Sequence, residues 1–447
     1  MLAAVSRYTI DTVLRVRLRH APGQLACLAQ AIAEENGVIG DITTVRLAEG
    51  SSVRDITVET MDEAHTARLV AHVKKIDGVD VQGVRDRVFE RHHGGKLHST
   101  SRIELRQLSD LRDIYTPGVA RVSLAIEKEP ARAWDLTAIG NSVAICTNGT
   151  RVLGLGNLGP VASLPVMEGK AVLYDKFVGI SATPILIDVT DPTAFIETVV
   201  RISRGFGGIH LEDIRVPDCF AIEDQLKKRL DKPVMHDDQH GTATAALAAI
   251  LNACRLTGVE LKSAKLGQIG LGAAGSAIAR LAIAYGVGEV LVTDPSKEAV
   301  AWLETFGARG TDFETLMKKA QIVVATTGKP GLIRKEMVQP RQVIFALSNP
   351  DPEIDPDDAL AAGAAFAGDG RSINNALAFP SLFRAALDLR AREIAPEMLI
   401  AAAEAIAGEA EPGEIVPSPL KKGVHEAITA AVTARSLALG LAGTAKI

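Results

Sequence analysis

The sequence predicts an α/β protein in several parts, and three observations carry that prediction. Between about residues 241 and 375, apolar strands alternate with helices, the pattern of a parallel sheet covered on both faces. Within that stretch the glycine motif GLGAAG follows the strand KLGQI and opens a helix. The first 90 residues instead run βαββαβ, a plan that packs two helices on one face of a small sheet. At 447 residues the chain exceeds what one hydrophobic core usually serves, so two or three domains are expected.

In the N-terminal part, residues 8–19 place Leu14, Val16 and Leu18 on one face and Arg15, Arg17 and Arg19 on the other, a half-exposed strand. APGQLACLAQAIAEENG then reads as a helix started at Pro22 and stopped at Gly37. GVIGDITTVRLAEG and SSVRDITVET form a strand pair, MDEAHTARLVAHVKKIDG a helix, and VDVQGVRDRVFER a closing strand. The order is that of a ferredoxin-like fold. HHGGK (92–96) reads as a linker with solvated histidines.

The expected divisions are 1–90, 91–237, 238–375 and 376–447. The second is an α/β substrate domain of strands and tight turns. The third, with a helix over Gly241–Leu256 and the strands KLGQIG, EVLVTD, QIVVATTG and QVIFALSNP, is a doubly wound Rossmann-type domain. The last is alanine-rich helix returning to the second.

GxGxxG occurs twice, and context separates the copies. Gly270, Gly272 and Gly275, with Ala273 and Ala274 between them, sit between a strand and a helix, and the next strand ends in Asp294. Such a turn lets a pyrophosphate approach the N–H groups at a helix's positive end, and the acid accepts from the ribose hydroxyls. NAD is therefore expected, and Asp294 disfavours the 2′-phosphate of NADP. Lys297 and Arg309 lie downstream and leave NADP open. The second copy, GLGNLG (154–159), runs into Pro160 with no regular helix and no acid-ended strand in register, so its glycines are expected to shape a wall. Arg151, ending a strand before it, reads either as a fork for a carboxylate or as a solvated arginine.

Acids come in two pairs: Glu212 and Asp213 in HLEDIRVP, Asp237 and Asp238 in HDDQHGTA. Ligation by oxygen to Mg²⁺ or Mn²⁺ is one reading. The other places Asp237 or Asp238 at a helix N-cap and Glu212–Asp213 in a surface turn. Lys170, in a turn within MEGKAVLYDKF, is either solvated or a base whose proton is loosened near acids and a cation. Tyr115, before Pro117 and Gly118, is either a half-buried core residue or a phenol presented to a cleft.

Composition excludes several classes. A net charge of −5 argues against nucleic acid or an anionic membrane as partner. No apolar run approaches the ~20 residues of a membrane span, and early arginines interrupt any signal-peptide core. Cys27, Cys146, Cys219 and Cys254 lack CxxC spacing, so reduced thiols and a cytoplasmic location are expected.

YTPGVA, GLGNLG, MEGK, LEDI, HDDQHGTA, GLGAAG, SNP and INNALAFP stand in the order and rough spacing of malic enzymes. From about residue 100 to 440 the chain resembles the shorter bacterial type. The PGQL turn with GVIGDI resembles an ACT domain, a departure from the family's common form. The resemblance implies oxidative decarboxylation of malate to pyruvate and CO₂ with reduction of NAD(P). It implies Lys170 as base with Asp237 beside it, Tyr115 as the acid that protonates C3, and Glu212, Asp213 and Asp238 as metal ligands. Arg151, Asn349, Asn374 and Asn375 would hold the substrate's carboxylates, with Asn349 also beside the cofactor. It further implies a homodimer or larger homo-oligomer. An ACT domain implies either a small-molecule effector near PGQL and Gly40–Asp41 or a pure oligomerisation module. Two rivals remain: another nicotinamide oxidoreductase, such as an amino-acid dehydrogenase, and a non-catalytic metabolite sensor.

Overall fold

The alternation of the first strand decides the architecture around it. The computed structural model describes residues 10–152, 154–370 and 373–443, and the opening segment with Tyr8 and Thr9 lies outside these residues. The chain divides into two compact units, Met1–Lys96 and Leu97–Ile447.

The first unit runs β1 (Ile10–Arg19), α1 (Gln24–Glu34), β2 (Val38–Ala48), β3 (Ser51–Thr60), α2 (Glu63–Val73), β4 (Val79–Asp86) and α3 (Arg87–His92). Its strands pair antiparallel in the order β2-β3-β1-β4, the ferredoxin-like arrangement. Leu14, Val16 and Leu18 of β1 are buried with Leu28 and Ile32 of α1 and Leu69 and Val73 of α2. On the opposite face Arg15 grips Asp55 through two bonds of 2.7 Å, and Arg85 adds a third at 2.8 Å. The closing strand is shorter than the sequence suggested. Asp86 accepts from the N–H groups of Val88 and Phe89, so RVFER begins a helix instead of continuing the strand. Cys27 on α1 is exposed, whereas Cys146, Cys219 and Cys254 of the second unit are buried, and none is bonded.

The second unit opens with α4 (Leu108–Ile114), α5 (Gly118–Lys128) and α6 (Ala133–Leu136). A first sheet follows: β5 (Ser142–Thr147), α7 (Gly159–Val178), β6 (Ser181–Leu186), α8 (Pro192–Ile202), β7 (Gly208–Leu211), α9 (Asp218–Arg229) and β8 (Val234–His236). These strands are parallel in the order β6-β5-β7-β8. The region is thus more helical than the expected strands and turns. The second glycine copy in particular runs straight into α7. Proline's fixed φ suits a helix's first turn, so Pro160 starts this helix where it had been read as excluding one.

Then comes α10 (Asp237–Thr257), leading to a second parallel sheet of β9 (Lys265–Ile269), α11 (Ala273–Tyr285), β10 (Glu289–Thr293), α12 (Lys297–Glu304), β11 (Arg309–Gly310), α13 (Phe313–Lys319), β12 (Ile322–Ala325), β13 (Val343–Ala346), α14 (Pro356–Ala361) and β14 (Phe366–Asp369). Its order, β11-β10-β9-β12-β13-β14, is the doubly wound Rossmann arrangement, all strands parallel and the winding switching sides between β9 and β12. The C-terminal helices are α15 (Phe379–Asp388), α16 (Pro396–Glu409) and α17 (Val424–Ala438). α15 and α17 pack on α7, and α16 packs on α10 and α11. Buried alanines of α10, including Ala245, Ala246, Ala249 and Ala253, allow these helices a close approach.

Candidate active site

Ligands of open α/β sheets gather at the carboxyl ends of strands, and the acids stand there. Glu212 and Asp213 step off β7, while Asp237 and Asp238 step off the neighbouring β8 as the first residues of α10. One carboxylate oxygen from each of Glu212, Asp213 and Asp238 lies within 4.8 Å of the other two. Asp213 has φ 55°, a left-handed backbone costing a non-glycine residue roughly 1–2 kcal/mol. In that conformation its N–H donates to Asp238 Oδ2 at 3.0 Å.

The capping and surface-turn readings do not survive. His236 occupies the N-cap position of α10 and no side chain caps it. Glu212 and Asp213 are buried. Asp238 keeps 36% of its side chain open, toward a cavity of about 500 Å³ that it shares with Arg151, Asn349 and the loop Gly272, Ala273, Ala274 and Gly275.

Lys170 lies inside α7, not in a turn, and it is buried. Its ammonium pairs with Asp237, lies 3.3 Å from Glu212 Oε1, and sits 4.6 Å above the Phe379 ring. Burial alone would lower its pKa, but the charges of Asp237 and Glu212 outweigh that and raise it. These carboxylates by themselves therefore hold the proton on Lys170 more tightly; the loosening expected of this lysine requires a cation beside them as well. Burial pushes the Asp237 carboxyl up to about 6 and that of Glu212 up to about 7, against the pull of Lys170. The Lys170 ammonium and the His236 imidazole, which lies 3.2 Å from Asp238 and whose pKa is raised against burial by that acid, thus stand among four carboxyl groups, Asp237, Glu212, Asp213 and Asp238. Buried negative charge in excess calls for a compensating cation, and an all-oxygen set suits Mg²⁺ or Mn²⁺. By this test the residues fit the metal.

Asp237 is held by geometry as much as by charge. Asn375 Nδ2 donates to its Oδ2 at 2.6 Å. Its Oδ1 is buried without a hydrogen-bond partner and rests where a Cβ on residue 241 would stand, so the glycine of HDDQHG makes room for it. Glu223 of α9, also buried, accepts from the His236 N–H (3.0 Å), Gln239 Nε2 (3.2 Å) and His240 Nε2 (2.9 Å), anchoring the start of α10.

The dinucleotide loop has the expected form. Gly270 has φ 85°, and a Cβ there would lie 2.9 Å from the Thr326 carbonyl oxygen. Asp294 accepts from the Leu271 and Ser296 N–H groups, each at 2.8 Å. It lines a second cavity of about 890 Å³ with Gly272, Arg151 and Trp302. Arg309 is engaged by Glu289 at 3.3 Å.

Other expected residues fare differently. Arg151 lies in a turn beyond the end of β5, and its N–H donates to the Asp213 carbonyl at 3.1 Å. Asn374 is exposed and its Oδ1 accepts from the Ala376 N–H, capping the short turn that presents Asn375. Tyr115 is 72% exposed and lines neither cavity, so it is not a core residue.

Gly241, Glu223, His210 and Tyr174 were not singled out from the sequence. His210 had a signal, since it stands two residues before Glu212 and alternate strand residues share a face. Glu223 had none, because only the fold brings α9 against the start of α10.

A doubly wound dinucleotide sheet facing a cleft of carboxylates and a lysine defines a class, the nicotinamide-dependent oxidoreductases. Residues 96–227 match the family model "Malic enzyme, N-terminal domain", and residues 238–332 match "D-isomer specific 2-hydroxyacid dehydrogenase, NAD binding domain". The chain is 51% identical to NAD-dependent malic enzyme 1 of Bacillus subtilis (strain 168), over 96% of this chain and 98% of that protein. It is 40% identical to the NAD-dependent malic enzyme of Geobacillus stearothermophilus, over 93% and 92%. The crystal structure of malic enzyme from Pyrococcus horikoshii Ot3 is similar with a TM-score of 0.74 at 38% identity, covering 79% of this chain and 89% of that one. The chain belongs to the malic enzyme family. No helix among its described residues is long and apolar enough to cross a membrane.

Proposed function

We propose that this protein converts malate to pyruvate and CO₂ with reduction of NAD, dependent on Mg²⁺ or Mn²⁺. The observation that carries the reading is Lys170, buried between Asp237 and Glu212, with Asp238, the next residue after Asp237, opening onto the cavity that the dinucleotide loop lines. The names of the Bacillus and Geobacillus relatives support NAD as the cofactor, as does the carboxylate of Asp294.

Glu212, Asp213 and Asp238 would hold the metal, whose chemistry is to polarise the C2 oxygen of malate and of the ketone that replaces it. Gly270, Gly272 and Gly275 would seat NAD, which when bound would supply the acceptor for the C2 hydride. Lys170 takes the proton of the 2-hydroxyl, and Asp237 orients it. Were Glu212 engaged in ligation, its charge would hold the Lys170 proton less, and the lysine's pKa would be lower. Arg151, Asn349 and Asn375 hold the carboxylates of malate. Loss of CO₂ breaks C3–C4, and Tyr115, the acid the family resemblance implies, would return a proton to C3 once brought to the cavity it does not line here. The N-terminal unit acts as an ACT-type regulatory module, and the working assembly is a homodimer or larger.

The test is malate-dependent reduction of NAD and of NADP followed side by side at 340 nm, with Mn²⁺ and then with excess chelator. Metal-dependent reduction faster with NAD, with pyruvate formed in equal amount, is expected. No reduction by folded, metal-supplied protein would overturn the reading, and reduction undiminished by chelator would point to a dehydrogenase without a metal.

A further inference from the structure

Behind Glu212 lies a buried chain of polar groups that the mechanism above does not use. The Tyr174 hydroxyl of α7 and His210 Nδ1 of β7 lie 2.9 Å apart, and His210 Nε2 lies 2.5 Å from Glu212 Oε2. Both rings are fully buried. Two phenylalanines of α15 hold them in place. Phe379 meets Tyr174 and His210 edge-on, with centroids at 4.9 and 5.4 Å, and Phe383 stacks on His210 at 5.9 Å.

With Glu212 ionised, as a metal ligand must be, one assignment of hydrogens satisfies the chain. Tyr174 O–H donates to Nδ1, and Nε2–H donates to Oε2 of Glu212. Donating to Nδ1, the phenol keeps the ring proton on Nε2, and that N–H holds the carboxylate. Both ring nitrogens are then engaged. That removes His210 as a ligand, although His210, Glu212 and Asp237 also lie close enough together to form a ligand set. It also divides the work of Glu212: Oε2 is held by His210, while Oε1 lies 3.3 Å from the Lys170 ammonium.

We infer that Tyr174 and His210 are positioning residues for the metal site, holding Glu212 so that Oε1 alone serves the cation. The inference rests on Glu212 being a ligand. Groups that orient ligating side chains commonly control metal affinity by about 10- to 100-fold.

The experiment measures Mn²⁺ affinity by the loss of the free-ion electron paramagnetic resonance signal, without malate or cofactor. Wild-type protein is compared with Tyr174→Phe, His210→Leu and His210→Gln, and a melting curve and NADH affinity are recorded for each. Tyr174→Phe is expected to weaken Mn²⁺ binding severalfold and His210→Leu about 10-fold or more, with NADH affinity unchanged. His210→Gln, which keeps an N–H within reach of Oε2, is expected to recover most of the loss; a purely packing role would not show that rescue. If wild-type protein binds Mn²⁺ and the folded Tyr174→Phe and His210→Gln variants bind it as wild type does while His210→Leu does too, the inference is overturned and the metal assignment stands. If wild-type protein binds none, the metal assignment falls and this inference with it. Should His210→Leu not fold, Tyr174→Phe decides alone, since it removes one oxygen and leaves the ring packing intact.

Discussion

At the scale of single residues, the site depends on where an oxygen is allowed to sit. Asp237 Oδ1 occupies the space over Gly241, so Gly241→Ala forces the carboxylate off Lys170. Displacements of about 1 Å can cost about 100-fold in rate. We expect kcat for malate oxidation to fall by at least that factor while the melting temperature changes little, and an unchanged kcat would sever Asp237 from the lysine's function. Asp237→Asn keeps the shape and removes a charge that raises the Lys170 pKa. A base must be unprotonated to act, so the acid-side limb of kcat/KM should move to lower pH in this variant. A limb that stays put in a pH series would assign that titration to another group.

At the scale of elements, Lys232 shows how a buried cation ties loops to strands. Just before β8, its ammonium donates to the carbonyls of Ser203 and Phe206, each at 2.7 Å, and burial with nearby Arg204 pushes its pKa down to about 8. The folded state therefore gives up this proton earlier than the unfolded chain, and stability should rise from about pH 8 to 10.5. Relative to Lys232→Met, the wild type should gain at most about 3 kcal/mol over that window, as read from urea unfolding at pH 7.5, 9 and 10. A constant difference would show that the two carbonyls hold the charge fully. The elements most readable from sequence were those with strong periodicity and clear punctuation: β1, the strands β9, β10, β12 and β13, and the GLGAAG turn. α7 was obscured because its prolines look like breakers, and Lys170 within it was placed in a turn. The acid pairs were visible as pairs, but their burial, the left-handed Asp213 and the partners His210 and Glu223 come from chain segments meeting in space. No local pattern encodes such meetings.

At the scale of the whole molecule, every residue assigned to chemistry lies in Leu97–Ile447, and the ferredoxin-like unit lies before it. A chain of residues 97–447 should accordingly retain malate-dependent reduction of NAD and lose any response to small-molecule effectors. Complete loss of activity in a folded truncation would make the first unit part of the catalytic assembly. The distribution of cysteines offers a way to watch that unit. Burial pushes the thiols of Cys146 and Cys219 up to about 12 and that of Cys254 up to about 11, and a thiol that stays protonated and shielded does not react. Cys27 alone among the four is exposed. A maleimide dye added at neutral pH should therefore label one position on α1, three residues past Gln24, and leave the oxidoreductase untouched, giving a reporter that brightens or dims as candidate metabolites are titrated in.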